Sequence, residues 1–170
     1  MSTETIATGT LIPWNDPMLK TPPAEWDFSN TTPEDAAKLA LILIESSDAL
    51  QGAGLSANQI GINQRAFAIT LVDTPKYVAF NPVIEESSEE VVLMEEGCLS
   101  RPGLWLKVAR PKLVRVKYMN AIGEEVRAEL DGYHSRVFQH EYDHMLGMDF
   151  TQRVSSLKLQ MGLKKLKKRK

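Results

Sequence analysis

Cysteine and histidine are almost missing from this chain. Its 170 residues hold one cysteine, Cys98, and three histidines, which excludes an intramolecular disulfide framework. Any site built from thiolate and imidazole ligands must draw on these four side chains. No apolar run approaches the ~20 residues needed to span a membrane. Residues 1–5, Met-Ser-Thr-Glu-Thr, show neither a basic segment nor an apolar one, so no secretory leader is expected there. They also lack arginine and carry Glu4, against a transit peptide. A cytoplasmic protein is the expectation.

With 43% hydrophobic residues, the chain can form one domain with a sizeable core. Its net charge of −2 is unevenly spread. Lys164, Lys165, Lys167, Lys168, Arg169 and Lys170 place six positive charges at the C-terminal end, leaving 14 basic against 22 acidic residues, or −8, over residues 1–163. A basic tail on an acidic body suits an anionic partner such as RNA. A solvated terminus that aids solubility is the plainer alternative.

Two of the three histidines fall in His140-Glu141-Tyr142-Asp143-His144. On a helix, positions i and i+4 lie on one face, where two imidazoles can share a metal ion with the Glu beside them as general base. The flanking Tyr133, Val137, Phe138, Met145 and Leu146 supply apolar helical positions, and Gly147 is a natural stop. His134 falls on another face and reads as a surface or core histidine. A third ligand decides the chemistry. A lone cysteine is commonly a small buried hydrophobe, but Cys98 stands in Glu95-Glu96-Gly97-Cys98-Leu99-Ser100, just after the apolar run Val91 to Met94. That is the setting of a strand end presenting a side chain, and a Cys98 thiolate is the specific candidate.

Residues 10–31 carry Pro13, Pro17, Pro22 and Pro23 and read as an irregular arm, pinned by Leu11, Trp14, Leu19, Trp26 and Phe28. Thr32 as N-cap and Pro33 at the first helical position start a helix that ends before Gly52. The Gly-rich stretch Gly52-Ala53-Gly54-Leu55-Ser56-Ala57-Asn58-Gln59 lacks the pattern of a phosphate loop; its glycines imply tight turns or close approach of something to the backbone. Strands are expected over 66–72, 77–80, 91–94, 113–118 and 125–130, with a turn at Asn120 to Gly123. Strands clustered between helices predict an α+β fold. Antiparallel or mixed sheets would pack around a central H-E-x-x-H helix, with another helix toward the N-terminus. A short helix over 156–170 would use Leu157, Met161 and Leu163 or Leu166 as apolar points.

Three segments, taken in order, closely resemble the signature motifs of peptide deformylases. Gly52-Ala53-Gly54-Leu55-Ser56-Ala57-Asn58-Gln59 departs from the family's G-x-G-L-A-A-x-Q only at Ser56. Glu96 to Ser100 and Gln139 to His144 match E-G-C-L-S and Q-H-E-x-D-H in full. The resemblance extends over roughly residues 10–150. It implies one catalytic domain over 1–163 with a basic tail at 164–170, and removal of the formyl group from N-formylmethionine at the start of nascent chains. Cys98, His140 and His144 would hold the metal, typically Fe(II), replaceable by Zn, Ni or Co. Glu141 would be the general base and acid, and Gln59 with the Leu99 N–H would stabilise the oxyanion. The backbone at Ala53, Gly54 and Gly97 would meet an extended peptide, and Tyr133 and Val137 would shape a pocket for the Met side chain. Asp143 and Glu96 are candidates to orient ligating histidines, with Arg110 pairing Glu96. Ser56 can add a hydrogen bond; Arg101 and the stretch Gly103 to Leu106 follow the cysteine motif where bacterial relatives vary, and Trp105 either lines the entrance or joins the core. Relatives have a C-terminal helix that contacts the ribosome, so contact with ribosomal RNA through the tail is a further expectation. A monomer is expected, in a bacterial cell or, if phage-encoded, in host cytoplasm. A zincin-type peptidase would need a downstream Glu or His as third ligand, and only Asp149 is acidic there. A binding protein with a closed structural metal site would need a fourth protein ligand.

Overall fold

The computed structural model describes residues 7–169; the readings made for residues 1–5 and for Lys170 lie outside them. Ten regular elements follow one another: α1 (Pro33–Ala49), β1 (Gly54–Ser56), β2 (Ala66–Ile69), β3 (Tyr77–Ser87), β4 (Val91–Cys98), β5 (Arg101–Pro111), β6 (Leu113–Met119), β7 (Glu125–Asp131), α2 (Gly132–Met145) and α3 (Ser156–Lys167). Short 3-10 turns lie at Pro17–Lys20, Ala57–Ile60 and Phe150–Arg153. The architecture is α+β, as expected. Five strands form an antiparallel sheet in the order β1-β2-β3-β6-β7, and β4-β5 form a separate antiparallel hairpin.

Helix α1 begins where Thr32 and Asp35 cap each other. The Thr32 hydroxyl accepts from the Asp35 N–H (3.2 Å) and the Asp35 carboxylate accepts from the Thr32 N–H (2.9 Å). Its buried Leu39 and Leu43 cover one face of the sheet, meeting Leu55, Ala66, Ala68 and Phe80. The opposite face, Phe67, Ile69, Ala79, Val114 and Val116, packs on Val137, Phe138 and Met145 of α2. Phe67 and Phe138 meet edge to face with centroids 4.9 Å apart. Both sheet faces are therefore covered, and β2 reads as a continuous apolar run because alternate residues serve different helices. Each large side chain buried here contributes about 1.5–3 kcal/mol.

A third core lies under α3. Leu104, Leu106 and Val108 of β5 join Cys98 and Phe150, covered by Val154, Leu159 and Leu166. The expected apolar points of α3 are corrected in part. Leu157 and Met161 face outward, 66% and 63% exposed. The inward stripe is Leu159, Gly162 and Leu166, because a Cβ on Gly162 would come within 2.5 Å of Leu106. The N-terminal arm is held by buried Leu19 and Trp26, with Leu11 and Phe28 packed beside them. Trp14 does not join that core. It projects from a turn in which the Asp16 N–H donates to the Pro13 carbonyl (3.0 Å), and the Arg101 guanidinium lies 4.1 Å from its ring centroid.

Strands β1 and β5 escape the sequence reading. β1 is three residues within the Gly-rich stretch. In β5, Leu104, Leu106, Val108 and Arg110 are all buried. The inward Arg110 and the outward Trp105 and Ala109 conceal the alternation. No helix among the described residues is long and apolar enough to cross a membrane.

Candidate metal centre

The four scarce side chains divide as their spacing implies. Helix α2 carries His140 and His144 on its buried face, with ring centroids 5.5 Å apart. Cys98 ends β4, where a register irregularity between Glu96 and Cys98 breaks the ladder and turns the thiol toward α2. One ligand atom each from Cys98, His140 and His144 lies within 4.8 Å of the others, and the Cys98 Sγ is 3.6 Å from His144 Nε2. His134 stands apart, its Nε2 2.8 Å from the Tyr77 hydroxyl.

The surroundings favour a cation. Glu96, Cys98 and Glu141 put three acidic groups around the two imidazoles. Burial pushes the Cys98 thiol up, but His140 and His144 outweigh it and bring it down to about 5. The thiolate is the form that ligates a metal. Burial lowers the pKa of His140, yet Cys98 and Glu96 raise it well above the ordinary value. Positive charge is thus held here, as protons on the rings or as a metal ion. Two nitrogens and one thiolate make a borderline-soft set that suits several divalent first-row metals, and the residues fit such an ion. Burial also raises the Glu141 carboxyl, to about 7, the two histidines opposing it. Its Oε2 is buried without a hydrogen-bond partner.

Glu96 links the centre to the body. Its Oε2 lies 3.0 Å from His140 Nδ1. Arg110 donates to both of its oxygens, at 2.6 and 3.0 Å, and Arg136 donates to Oε1 at 2.8 Å. The expected pairing of Arg110 with Glu96 is therefore present. These charge-assisted bonds, with the Arg110 ion pair, hold the Glu96 carboxyl far below its ordinary value against the upward push of burial. Asp143 does not orient a histidine directly. It accepts from Arg110 at 2.9 Å and from Arg153 at 2.5 and 3.1 Å, and so braces the arginine that braces Glu96. Arg136, on the metal helix, also donates to the carbonyls of Val108 and Val92 at 2.8 and 2.6 Å, fastening α2 to the hairpin. Nothing in its spacing separated it from an ordinary charged helical position.

On the other side, Gln59 Nε2 donates to Ser100 Oγ at 3.0 Å and reaches Cys98 Sγ at 3.5 Å. Its Oε1 accepts from the Ser56 N–H at 2.9 Å. Ser56 does add a bond: its hydroxyl, with a single proton, is shared between Asn58 Oδ1 (2.8 Å) and Gln59 Oε1 (3.0 Å). Ser100 lay within a recognised motif but had been given no part. The Gly-rich stretch comes close to the catalytic candidate: a Cβ on Gly54 would sit 2.9 Å from Glu141 Oε1 and 2.9 Å from the Ala68 carbonyl oxygen.

A cavity of about 410 Å³ opens above these groups. Ala53, Gly54, Gln59, Gly97, Cys98, Leu99, Tyr133, Val137, His140 and Glu141 all line it, and His144 lies deeper, 1% exposed. Trp105, 55% exposed, stands at the rim rather than in the core. β1 is an edge strand of the large sheet, and β4 pairs only with β5, so backbone from both borders the same cavity.

Comparison with known proteins agrees with this arrangement. The sequence profile of the family described as Polypeptide deformylase matches residues 9–160. A peptide deformylase of Thermotoga maritima is 42% identical over 133 residues, 78% of this chain and 80% of that protein. Its counterpart in Fusobacterium nucleatum is 38% identical over 124 residues, 73% and 71% of the two chains. Among solved structures, a peptide deformylase from Synechococcus elongatus in complex with actinonin superposes with a TM-score of 0.83 at 31% identity, covering 98% of this chain and 91% of that one. The match in order, geometry and extent leaves one conclusion: the chain belongs to the peptide deformylase family.

Proposed function

We propose that this protein removes the formyl group from N-formylmethionyl nascent peptides, with residues 1–163 as its catalytic domain and residues 164–170 as a basic tail. The observation that carries the reading is the convergence of Cys98, His140 and His144 within 4.8 Å beside the buried Glu141 carboxyl. The three side chains would hold one divalent metal ion, with Fe(II) the native choice and Zn, Ni or Co as substitutes. When bound, the metal would supply Lewis acidity and make a water molecule acidic at neutral pH. Glu141, buried beside the three ligands, would take a proton from the attacking water and return it to the leaving amine. The Gln59 amide and the Leu99 N–H receive the negative charge that develops on the formyl oxygen, each such donor being worth about 3–4 kcal/mol of barrier.

Positioning falls to the backbone. A peptide laid between the edges of β1 and β4 can bond to Ala53, Gly54 and Gly97 as an added strand. Tyr133 and Val137 on α2 receive the Met side chain. We assign the protein to the cytoplasm, of a bacterium or of the host if phage-encoded, and expect a monomer. The free face of α3, with Leu157, Met161, Lys164 and Lys167 around one shallow cavity, suits ribosomal RNA. Equal co-sedimentation with ribosomes, at several salt levels, of the full chain and a chain cut after Leu163 would exclude that contact.

The primary test is formate release from a short formyl-Met peptide by protein purified without oxygen and loaded with Fe(II) or Ni(II). Metal-dependent release that Cys98→Ala abolishes is the expected result. A folded, metal-loaded sample that releases no formate would refute the assignment.

A further inference from the structure

The cavity over the metal centre does not end at Trp105. A second cavity of about 250 Å³ shares Glu95, Gly103 and Trp105 with it and continues to α3, where Lys165, Leu166 and Arg169 form the far wall. The two spaces are parts of one groove that passes the Trp105 ring. That ring is fixed next to the chemistry: a Cβ on Gly97, the neighbour of Cys98, would lie 3.0–3.1 Å from its atoms. The far wall is equally well placed. Gly162 allows α3 to settle on Leu106, and Leu166 packs against Gly103, where an added Cβ would lie 2.9 Å from Leu166 Cδ1 and the φ of +80° disfavours any side chain. Lys165 lies in the last turn of α3 and Arg169 in the turn that follows it, where the Arg169 N–H donates to the Leu166 carbonyl (3.2 Å), and both line the same cavity.

The charge of this second space is positive. Lys165 and Arg169 form no ion pair within 4.0 Å among the described residues. Glu95 lines the same space, and Lys107 stands directly across the ladder from it. Within the lining itself, one carboxylate faces two cations.

Resting on the deformylase reading, we infer that this space is a downstream extension of the peptide groove, in which Lys165 and Arg169 favour substrates with an acidic side chain several residues after the formylmethionine. The occupant follows from continuity. A chain leaving the metal centre along β4 must pass Trp105 and then the two unpaired cations. Two further basic residues of α3, Lys164 and Lys167, line a different cavity, so this use of the helix is separable from ribosome binding through them.

The test uses metal-loaded full-length enzyme and formyl-Met peptides in which a single Glu, or its isostere Gln, is walked from the third to the seventh position. At one or two adjacent positions the Glu peptide should show kcat/KM about 3- to 10-fold above the Gln peptide at low salt, with the difference vanishing at high salt. The double variant Lys165→Gln/Arg169→Gln should lose the preference and keep the wild-type rate on the Gln peptides, whereas Lys164→Gln/Lys167→Gln should keep the preference. Equal rates on Glu and Gln peptides at every position would overturn the inference. So would a preference that persists in the Lys165→Gln/Arg169→Gln variant, or an equal loss on both peptides, which would mark a merely structural role. Failure to release formate from any peptide would instead strike the deformylase reading itself.

Discussion

Two buried carboxylates, Glu96 and Glu141, show how position decides the work of a residue. Glu141 is buried with one oxygen unpartnered and its carboxyl raised to about 7; Glu96 is buried among two guanidinium groups and an imidazole and is held ionised. Glu141→Gln should therefore keep the fold and metal content while lowering kcat for formate release by about 10²–10⁴-fold, the usual worth of a general base; metal analysis beside the kinetics checks both halves. Glu96→Ala should act on stability first. It leaves Arg110 and Arg136 buried without their shared partner, and breaking such a network costs about 3–5 kcal/mol. The midpoint of urea unfolding reads this directly, and a weaker grip on metal through His140, by about 10–100-fold, should accompany it. The ligands and Glu141 were legible in the sequence because their chemistry needs rare residue types at fixed spacing. Arg136 was not, and Asp143 was legible only as a brace for a histidine rather than for Arg110, since a charged residue on a helix is usually solvated and only the packed hairpin turns these inward.

At the scale of elements, the ends of α2 carry more information than its middle. The helix stops where the sequence suggests, at Gly147, whose φ is +72° and whose added Cβ would meet the backbone of Lys20 at 2.9 Å. Both the dihedral and the contact oppose a side chain, so Gly147→Ala should destabilise the protein by about 1–3 kcal/mol, seen as a lower denaturation midpoint with little change in its slope. Just beyond, Asp149 caps the turn Phe150–Arg153 and pairs with Arg101 at 3.0 Å. Burial raises its pKa, but the Thr151 hydroxyl and N–H and the Arg101 guanidinium outweigh it and the carboxyl lies below its ordinary 3.8. A carboxyl lowered on folding stabilises fully above its unfolded pKa, and the gain disappears as pH falls through the folded value. Asp149→Asn should thus be less stable by about 1 kcal/mol at neutral pH, with the gap closing only below about pH 4, as urea titrations at a series of pH values would record. Helices α1 and α2 were readable because their caps and periodicity are local. β5 was not, because its pattern makes sense only once Arg110 is known to be matched inside.

For the molecule as a whole, the sequence conveyed the class of fold and the order of helices and strands, because patterning and turns are written residue by residue. What it did not convey is the third core, the small cluster beneath α3 that contains Cys98 itself. That cluster forms only when the β4–β5 hairpin meets the distant turn Phe150–Arg153 and α3, which Gly162 lets settle on Leu106. One consequence concerns the thiol count. The chain has one cysteine, and it is the sulfur in the centre. Thiol chemistry of the entire protein is therefore a readout of the one proposed sulfur ligand. A sulfhydryl reagent added to metal-loaded protein should find no reactive group; after chelation it should find one equivalent per chain, and Cys98→Ser protein should give none in either state. The same arithmetic makes oxidation an all-or-none event for the enzyme: each molecule has one place at which an oxidant can strike sulfur in a thiol, and that strike removes the ligand.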